Sequence, residues 1–343
     1  MKKILFIGNI PDEDPKSIGG ANTYTSEILR EIRSNKNISL TFLKIRKRWY
    51  KFGQIFDYTF FPFKFMTKIL KQDIVSIHAT WDFHLTLGPF VVLVSKLFGK
   101  KVVYHFFGGK FHQMYQEYPL LLKKWLNITI FRSDFKLMET QRMINYFESK
   151  EFQGMIWFPN SRRKEVMKSR KNNFSKKFVF ISRVTPTKGI DYIVEAAKNL
   201  PDDYLIHIYG PLDKNFYNET IITSSNLKYM GILSPKDVVL TLVEYDVLLL
   251  PSFHNGEGYP GIFIEAMSVG LPIISTDWNS LDELVEDGFN GLLVKTKNSE
   301  QLLRAIKSFS RENYCDYSNN AKKKFKNFNI DEVIKKLFKL YFK

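Results

Sequence analysis

Two doubly wound α/β domains in tandem are what this sequence predicts, and three observations carry the prediction. Short apolar runs alternate with helical patterns along the chain, a polar and strongly basic stretch interrupts them near the middle, and the charge divides at the same place. Alternation of this kind argues for parallel sheets covered by helices on both faces. A length of 343 residues is generous for one core and comfortable for two.

The first half offers strands at 4–8, 40–45, 74–78, 101–105, 136–139 and 155–158. The second half offers them at 178–182, 205–209, 227–230, 247–250, 272–275 and 291–294. Residues between 160 and 177 lack strand character and read as the linker. The domains are therefore placed at 1–165 and 172–324, with a last helix over 325–343. Two sheets of this kind facing each other would form a central cleft, and ligands bind beyond the carboxyl ends of such strands.

Charge separates the halves. Residues 1–171 hold 30 Lys and Arg against 14 Asp and Glu, whereas residues 172–343 hold 21 of each. Residues 322–343 are basic again, with 8 Lys against 2 acids. A single cysteine, Cys315, excludes disulfides within the chain and cysteine-based metal clusters, and fits a reducing compartment. The Met-Lys-Lys start is followed by too short an apolar run for a signal peptide and reads as a buried strand. No run approaches the ~20 apolar residues needed to span a bilayer. The expectation is a cytoplasmic protein.

The richest stretch runs from His254 to Ser275. It sets two carboxylates, Glu257 and Glu265, eight residues apart across a Gly/Pro-rich entry into a helix. Pro260 suits a first helical position. The N–H groups of Gly258, Gly261 and Ile262 would then face whatever precedes the helix, which is an anion site. An anion flanked by two acids able to hold neutral hydroxyls is the outline of a nucleotide sugar. A second motif, from Phe180 to Ile190, puts Arg183 after a strand and Lys188 at a helix entrance, where only a bound anion offsets the helix dipole.

These words resemble the retaining glycosyltransferases of family 4. The Glu-x7-Glu pair stands within PSFHNGEGYPGIFIEAMSVGLPIISTD, and the Arg…Lys-Gly pair is Arg183 with Lys188-Gly189. The resemblance implies the GT-B fold of two Rossmann-like domains and a nucleotide-sugar donor, a UDP-sugar first. It implies no metal and no cofactor. It implies that Arg183 and Lys188 grip the donor diphosphate, Glu265 the ribose and Glu257 the donor sugar. Tyr259 and the N–H groups around it line the same place. Gly210 and Met230, in the strand ends Tyr-Gly-Pro and Tyr-Met-Gly, match the two base-contacting loops. Gly19 and Gly20 match the Gly-Gly loop of the first domain. Where the family usually carries His before Gly, this chain has Phe107; His105, two residues earlier, is the candidate substitute on the same strand face. A buried structural histidine is the competing explanation.

The function so implied is retaining transfer of a sugar to a hydroxyl of a glycan or lipid-linked acceptor, in bacterial surface polysaccharide or glycolipid synthesis. The alternative is a non-catalytic partner of the same fold that scaffolds an active enzyme. Residues 46–71 hold seven Lys and Arg and nine aromatics with Asp57 as the only acid. Such a mixture suits an anionic membrane surface. With a basic last helix crossing back onto the first domain, the positive charge is expected to form one face, held against the inner leaflet. Nucleic acid is the other partner basicity suggests, but no motif for it is present. Asp12, Glu13 and Asp14 lie in a Pro-flanked run without strand context and read as solvated loop rather than a metal site.

Overall fold

The protein is described from a computed structural model, over residues 1–11, 20–45, 53–164 and 174–343. It divides into two compact units, residues 1–161 with 330–343 and residues 162–329. The break falls at Ser161/Arg162, at the start of the stretch read as linker, because Arg162 already bonds within the second unit, its N–H donating to the Phe328 carbonyl. The return to the first unit begins at Ile330 instead of 325.

The first unit contains β1 (Lys2–Gly8), α1 (Gly20–Ser34), β2 (Ile38–Lys44), α2 (Gly53–Ile69), β3 (Ile74–Ala79), α3 (Trp81–Leu85), α4 (Leu87–Leu97) and β4 (Lys101–Phe106). It continues with α5 (Phe111–Glu117), α6 (Leu120–Ile128), β5 (Phe135–Met138), α7 (Gln141–Glu148) and β6 (Met155–Trp157). Its parallel sheet has the order β2-β1-β3-β4-β5-β6. The four inner strands β1, β3, β4 and β5 are buried on both faces, and period-two alternation divides them cleanly. Leu5, Ile7, Val75, Ile77, Val102 and Tyr104 pack under α2, α4, α5, α6 and α7. Ile4, Phe6, Ile74, Val103 and Leu137 pack under α1 and the C-terminal helix. Right-handed crossovers dictate this: α1 leads one way to β2, and every later connection leads the other way.

The second unit contains β7 (Lys177–Ile181), α8 (Ile190–Ala197), β8 (Leu205–Tyr209), β9 (Leu227–Tyr229), α9 (Val238–Leu242) and β10 (Val247–Leu250). After these come α10 (Gly261–Ser268), β11 (Ile273–Thr276), α11 (Leu281–Leu284), β12 (Gly291–Val294), α12 (Ser299–Ser308) and α13 (Arg311–Phe325). The order is β12-β11-β10-β7-β8-β9, the doubly wound arrangement of dinucleotide-binding folds. Each of the twelve strands falls within a residue or two of where its apolar run predicts it.

The chain ends in α14 (Ile330–Phe342), which belongs to the first unit. Its apolar stripe, Val333, Ile334, Leu337 and Tyr341, enters the core beside α1, and Tyr341 donates to Ser76 Oγ at 2.7 Å. This corrects the expectation of one basic face. α14 packs on the α1 side of the sheet, opposite the α2 helix layer, with Lys336 over the Trp157 ring at 4.6 Å and Lys343 over that of Phe135 at 5.9 Å.

Candidate functional site

The strand order of the second sheet reverses between β7 and β10. From β7 the chain leaves through α8 to β8; from β10 it leaves the other way through α10 to β11. Loops that diverge in this way open a crevice beyond the strand ends, the ligand site of open α/β sheets. Arg183 and Lys188 lie on the first loop, and Ser252 through Pro260 form the second.

Lys188 closes a short 3-10 turn, Pro186–Lys188, and Gly189 follows at φ +81°. A Cβ at 189 would collide with the Pro251 carbonyl, so only glycine lets the two loops approach. The buried Lys188 ammonium donates to the equally buried Glu257. Ser252 donates to the same carboxylate at 2.9 Å. Removed from water together, the two charges hold each other; either alone would carry a heavy desolvation cost. The Trp278 indole donates to the His254 carbonyl at 3.0 Å and Phe253 N–H to the Thr187 carbonyl at 2.8 Å, fixing the loop that presents Glu257. Arg183 is exposed.

Pro260 is the N-cap of α10 with ψ 128°, one position before the first helical residue expected for it. Gly261 and Ile262 thus supply the first helical N–H groups, which have no acceptor inside the helix. Glu265 stands on the second turn. Its partner is Arg162, whose Nε donates to Oε1 at 2.7 Å and whose guanidinium fills the space beside Gly261. Arg162 was hidden to sequence reasoning inside a run read as linker; its only signal is that it directly follows Pro159-Asn160-Ser161. Ser252 also went unread.

Gly258 is half-buried in the same loop. The Tyr259 side chain is buried: its hydroxyl donates to Glu283 and its ring meets Phe328 edge-on at 5.7 Å, so what it offers the loop is its backbone N–H. Gly210 follows β8 at φ +136°, where the Ser182 carbonyl excludes any side chain. Tyr229 donates to the Gly210 carbonyl at 2.9 Å, and Gly210 N–H donates to the Gly231 carbonyl at 2.8 Å. These bonds join the ends of β8 and β9 and leave Met230 exposed beside them.

In the first unit Gly20 opens α1, while Gly19 and the acidic run 12–14 lie outside the described residues. His105 is 3% exposed, with neither ring nitrogen in a well-formed hydrogen bond. Its ring centroid is 4.4 Å from that of His78, the adjacent residue in the β3/β4 register, and Tyr24, Phe107 and Phe158 complete the cage. Burial, and then the neighbouring imidazoles, hold its pKa well below the usual range. Burial pushes His78 down to about 3. The acid–base role considered for His105 thus meets a closed, neutral ring. His84, on α3, is likewise internal, paired with the Tyr104 hydroxyl at 2.9 Å. Among the described residues no group of three or more His, Cys, Asp or Glu could hold a metal ion, and no helix is long and apolar enough to cross a membrane.

Residues 161–328 match the family of glycosyl transferases group 1, a span that coincides with the second unit to within one residue at each end. An uncharacterized glycosyltransferase of Methanocaldococcus jannaschii is 27% identical over 168 residues, 48% of this chain and 47% of that protein. The UDP-Gal:alpha-D-GlcNAc-diphosphoundecaprenol alpha-1,3-galactosyltransferase of Escherichia coli is 30% identical over 191 residues, 52% of this chain and 48% of its own length. The chain spans about half the length of these curated relatives. HepE of Anabaena, solved in complex with UDP, covers 99% of both chains with a TM-score of 0.75 at 16% identity. The fold is therefore that of the GT-B glycosyltransferases.

Proposed function

We propose that the protein is a retaining glycosyltransferase of family 4. It transfers a sugar from a UDP-sugar to a hydroxyl of a glycan or lipid-linked acceptor, in the synthesis of bacterial surface polysaccharide or glycolipid. The observation that carries this is the buried Lys188–Glu257 pair, set where the strand order of the second sheet reverses. The UDP bound to the Anabaena protein and the substrates in the name of the E. coli relative support the donor base and a lipid-diphosphate acceptor.

As the bond between sugar C1 and the β-phosphate oxygen breaks, negative charge builds on that phosphate, and fixed cations lower the barrier. Lys188, Arg183 and the first N–H groups of α10 receive it. Glu257 holds hydroxyls of the sugar and Glu265 those of the ribose. The acceptor oxygen attacks C1 from the face the phosphate leaves, and its proton passes to the departing phosphate oxygen. Configuration is kept and no protein base is consumed, which agrees with the closed environment of His105. The enzyme works at the cytoplasmic face of the membrane, bound peripherally through its basic first unit.

Calorimetric titration with UDP, GDP, ADP and CMP tests the donor site. Saturable UDP binding, weakened at least tenfold by Arg183→Ala, is expected, followed by slow hydrolysis of the matching UDP-sugar. No binding by folded protein would overturn the donor-site assignment. UDP binding with neither hydrolysis nor transfer would replace the enzyme by the scaffold.

A further inference from the structure

We infer that the outer face of the helix layer formed by α2, α4 and α6 is the surface by which this protein docks on an anionic phospholipid bilayer. The inference rests on the membrane-bound reading above and gives it a location. All three helices cover the same side of the first sheet, because each crosses over in the same sense between strands that advance along it. Their inward stripes are accounted for: Phe61, Phe65, Val91, Val92 and Leu126 are in the core. Their outward residues should then be polar. On α2, Phe63 is 70% exposed; on α4, Leu97 is 81% exposed; on α6, Leu121 is 81% and Trp125 42% exposed. Apolar side chains repeated on three neighbouring helices mark an interaction surface, unlike single exposed ones.

The three helices are held together as one face. Lys100, just beyond α4, donates to the Leu70 carbonyl at the end of α2 at 3.2 Å. The 3-10 turn Ile130–Arg132 packs on both α4 and α6. The charge is complementary to a lipid surface. Residues 53–71, 87–101 and 119–129 contain eight lysines, and Asp57 is the only acid in them. Lys64 and Lys68, four residues apart, follow Phe63 on α2, and Lys123 and Lys124 lie between Leu121 and Trp125. Apolar tips interleaved with lysines, and an aromatic at the boundary, are what an interface of headgroups and acyl chains takes up. A protein partner would need acids to meet these lysines and a flat apolar patch; a second copy of this face would set lysine against lysine.

The test is co-sedimentation of the full chain with vesicles of phosphatidylcholine alone and with 30% phosphatidylglycerol, about the anionic content of an inner leaflet. Binding to the anionic vesicles only, weakened by salt and at least tenfold by Phe63→Ser with Leu121→Ser, is expected. Brominated lipid should quench tryptophan emission, and Trp125→Phe should reduce that quenching. Calorimetric UDP binding in the same variants should be unchanged, which separates failure of this surface from failure of the donor site. Equal sedimentation of wild type and variants, or quenching that Trp125→Phe leaves unchanged, overturns the proposal. So does a dimer in light scattering that the serine variants dissociate, since the face would then join two copies.

Discussion

Arg162 and Glu265 are joined by a 2.7 Å ion pair in which the guanidinium lies beside Gly261, at the start of the helix that carries Glu265. A cation at this helix end opposes the macrodipole. The carboxylate offsets that, and the pair fixes where Glu265 points. In the donor site we propose, Arg162 would then be a positioning residue for the ribose contact of Glu265. Arg162→Ala is expected to cost about 1–3 kcal/mol in stability, the range for an unpaired buried group, and to raise the UDP Kd. Glu265→Gln, which keeps an acceptor for Arg162, should raise the Kd with a smaller drop in Tm. Calorimetry and thermal unfolding of both variants check this; a Kd unchanged in Arg162→Ala would remove Arg162 from the site.

The buried Lys188–Glu257 pair makes a second prediction, about coupling. Either Lys188→Met or Glu257→Leu alone leaves a charge in a dry place and should destabilise by about 3–5 kcal/mol. The double substitution leaves no charge stranded and should recover most of that loss. It should not recover UDP-sugar hydrolysis if, as proposed, both groups act on the donor. Denaturant unfolding of the four proteins measures the coupling, and hydrolysis assays measure the function. Double-variant activity near wild type would make the pair purely structural.

Gly189 sets the distance between the two loops. Its φ of +81° already disfavours a side chain, and the Pro251 carbonyl blocks one. Gly189→Ala is expected to cost at least about 1–3 kcal/mol, the usual price of such strain, and to move Lys188 off Glu257. A Tm within a degree of wild type would show that the loop relaxes freely.

What was legible in the sequence follows from which forces are local. Strand positions were readable because a parallel strand buried on both faces is a short continuous apolar run. The stretches holding Arg183, Lys188 and Glu257 stood out because they are glycine- and proline-marked loops, and Glu265 because it lies on the helix that such a loop opens. Arg162 was not, because its partner lies 103 residues away and nothing local distinguishes it from the lysines of the linker. His105 was seen as a candidate for chemistry because period-two alternation gives its face but not what covers that face. The covering residues, Tyr24 from α1 and Phe158 beyond β6, are distant in the chain. The separation of basic α14 from the α2 layer was likewise invisible, since it follows from crossover handedness.

The buried imidazoles predict acid sensitivity. His78 and His84, each held down at about 3 by burial, and His105, held well below its usual range, stay neutral in the folded protein. Unfolded, each takes a proton below its ordinary pKa near 6.5. The unfolded chain then binds more protons than the native one, so the stability these rings contribute is present above pH 6.5. For His78 and His84 it is lost as pH falls from there toward 3, by about 1.4 kcal/mol per pH unit for each ring, and His105 adds in the same direction. The titratable groups facing His105 are His78 on β3, His84 on α3 and Tyr24 on α1; the rings of Phe107 and Phe158 are apolar. His105→Phe removes one such proton and gives up only the contact with the Phe158 backbone. Its unfolding free energy should match or exceed wild type at pH 5 and fall less steeply between pH 6 and 4.5. His84→Phe should lose stability even at pH 7.5, because the Tyr104 hydroxyl loses its 2.9 Å partner. Equal slopes in wild type and His105→Phe would mean that His105 is protonated in the native state, and its cage open to water.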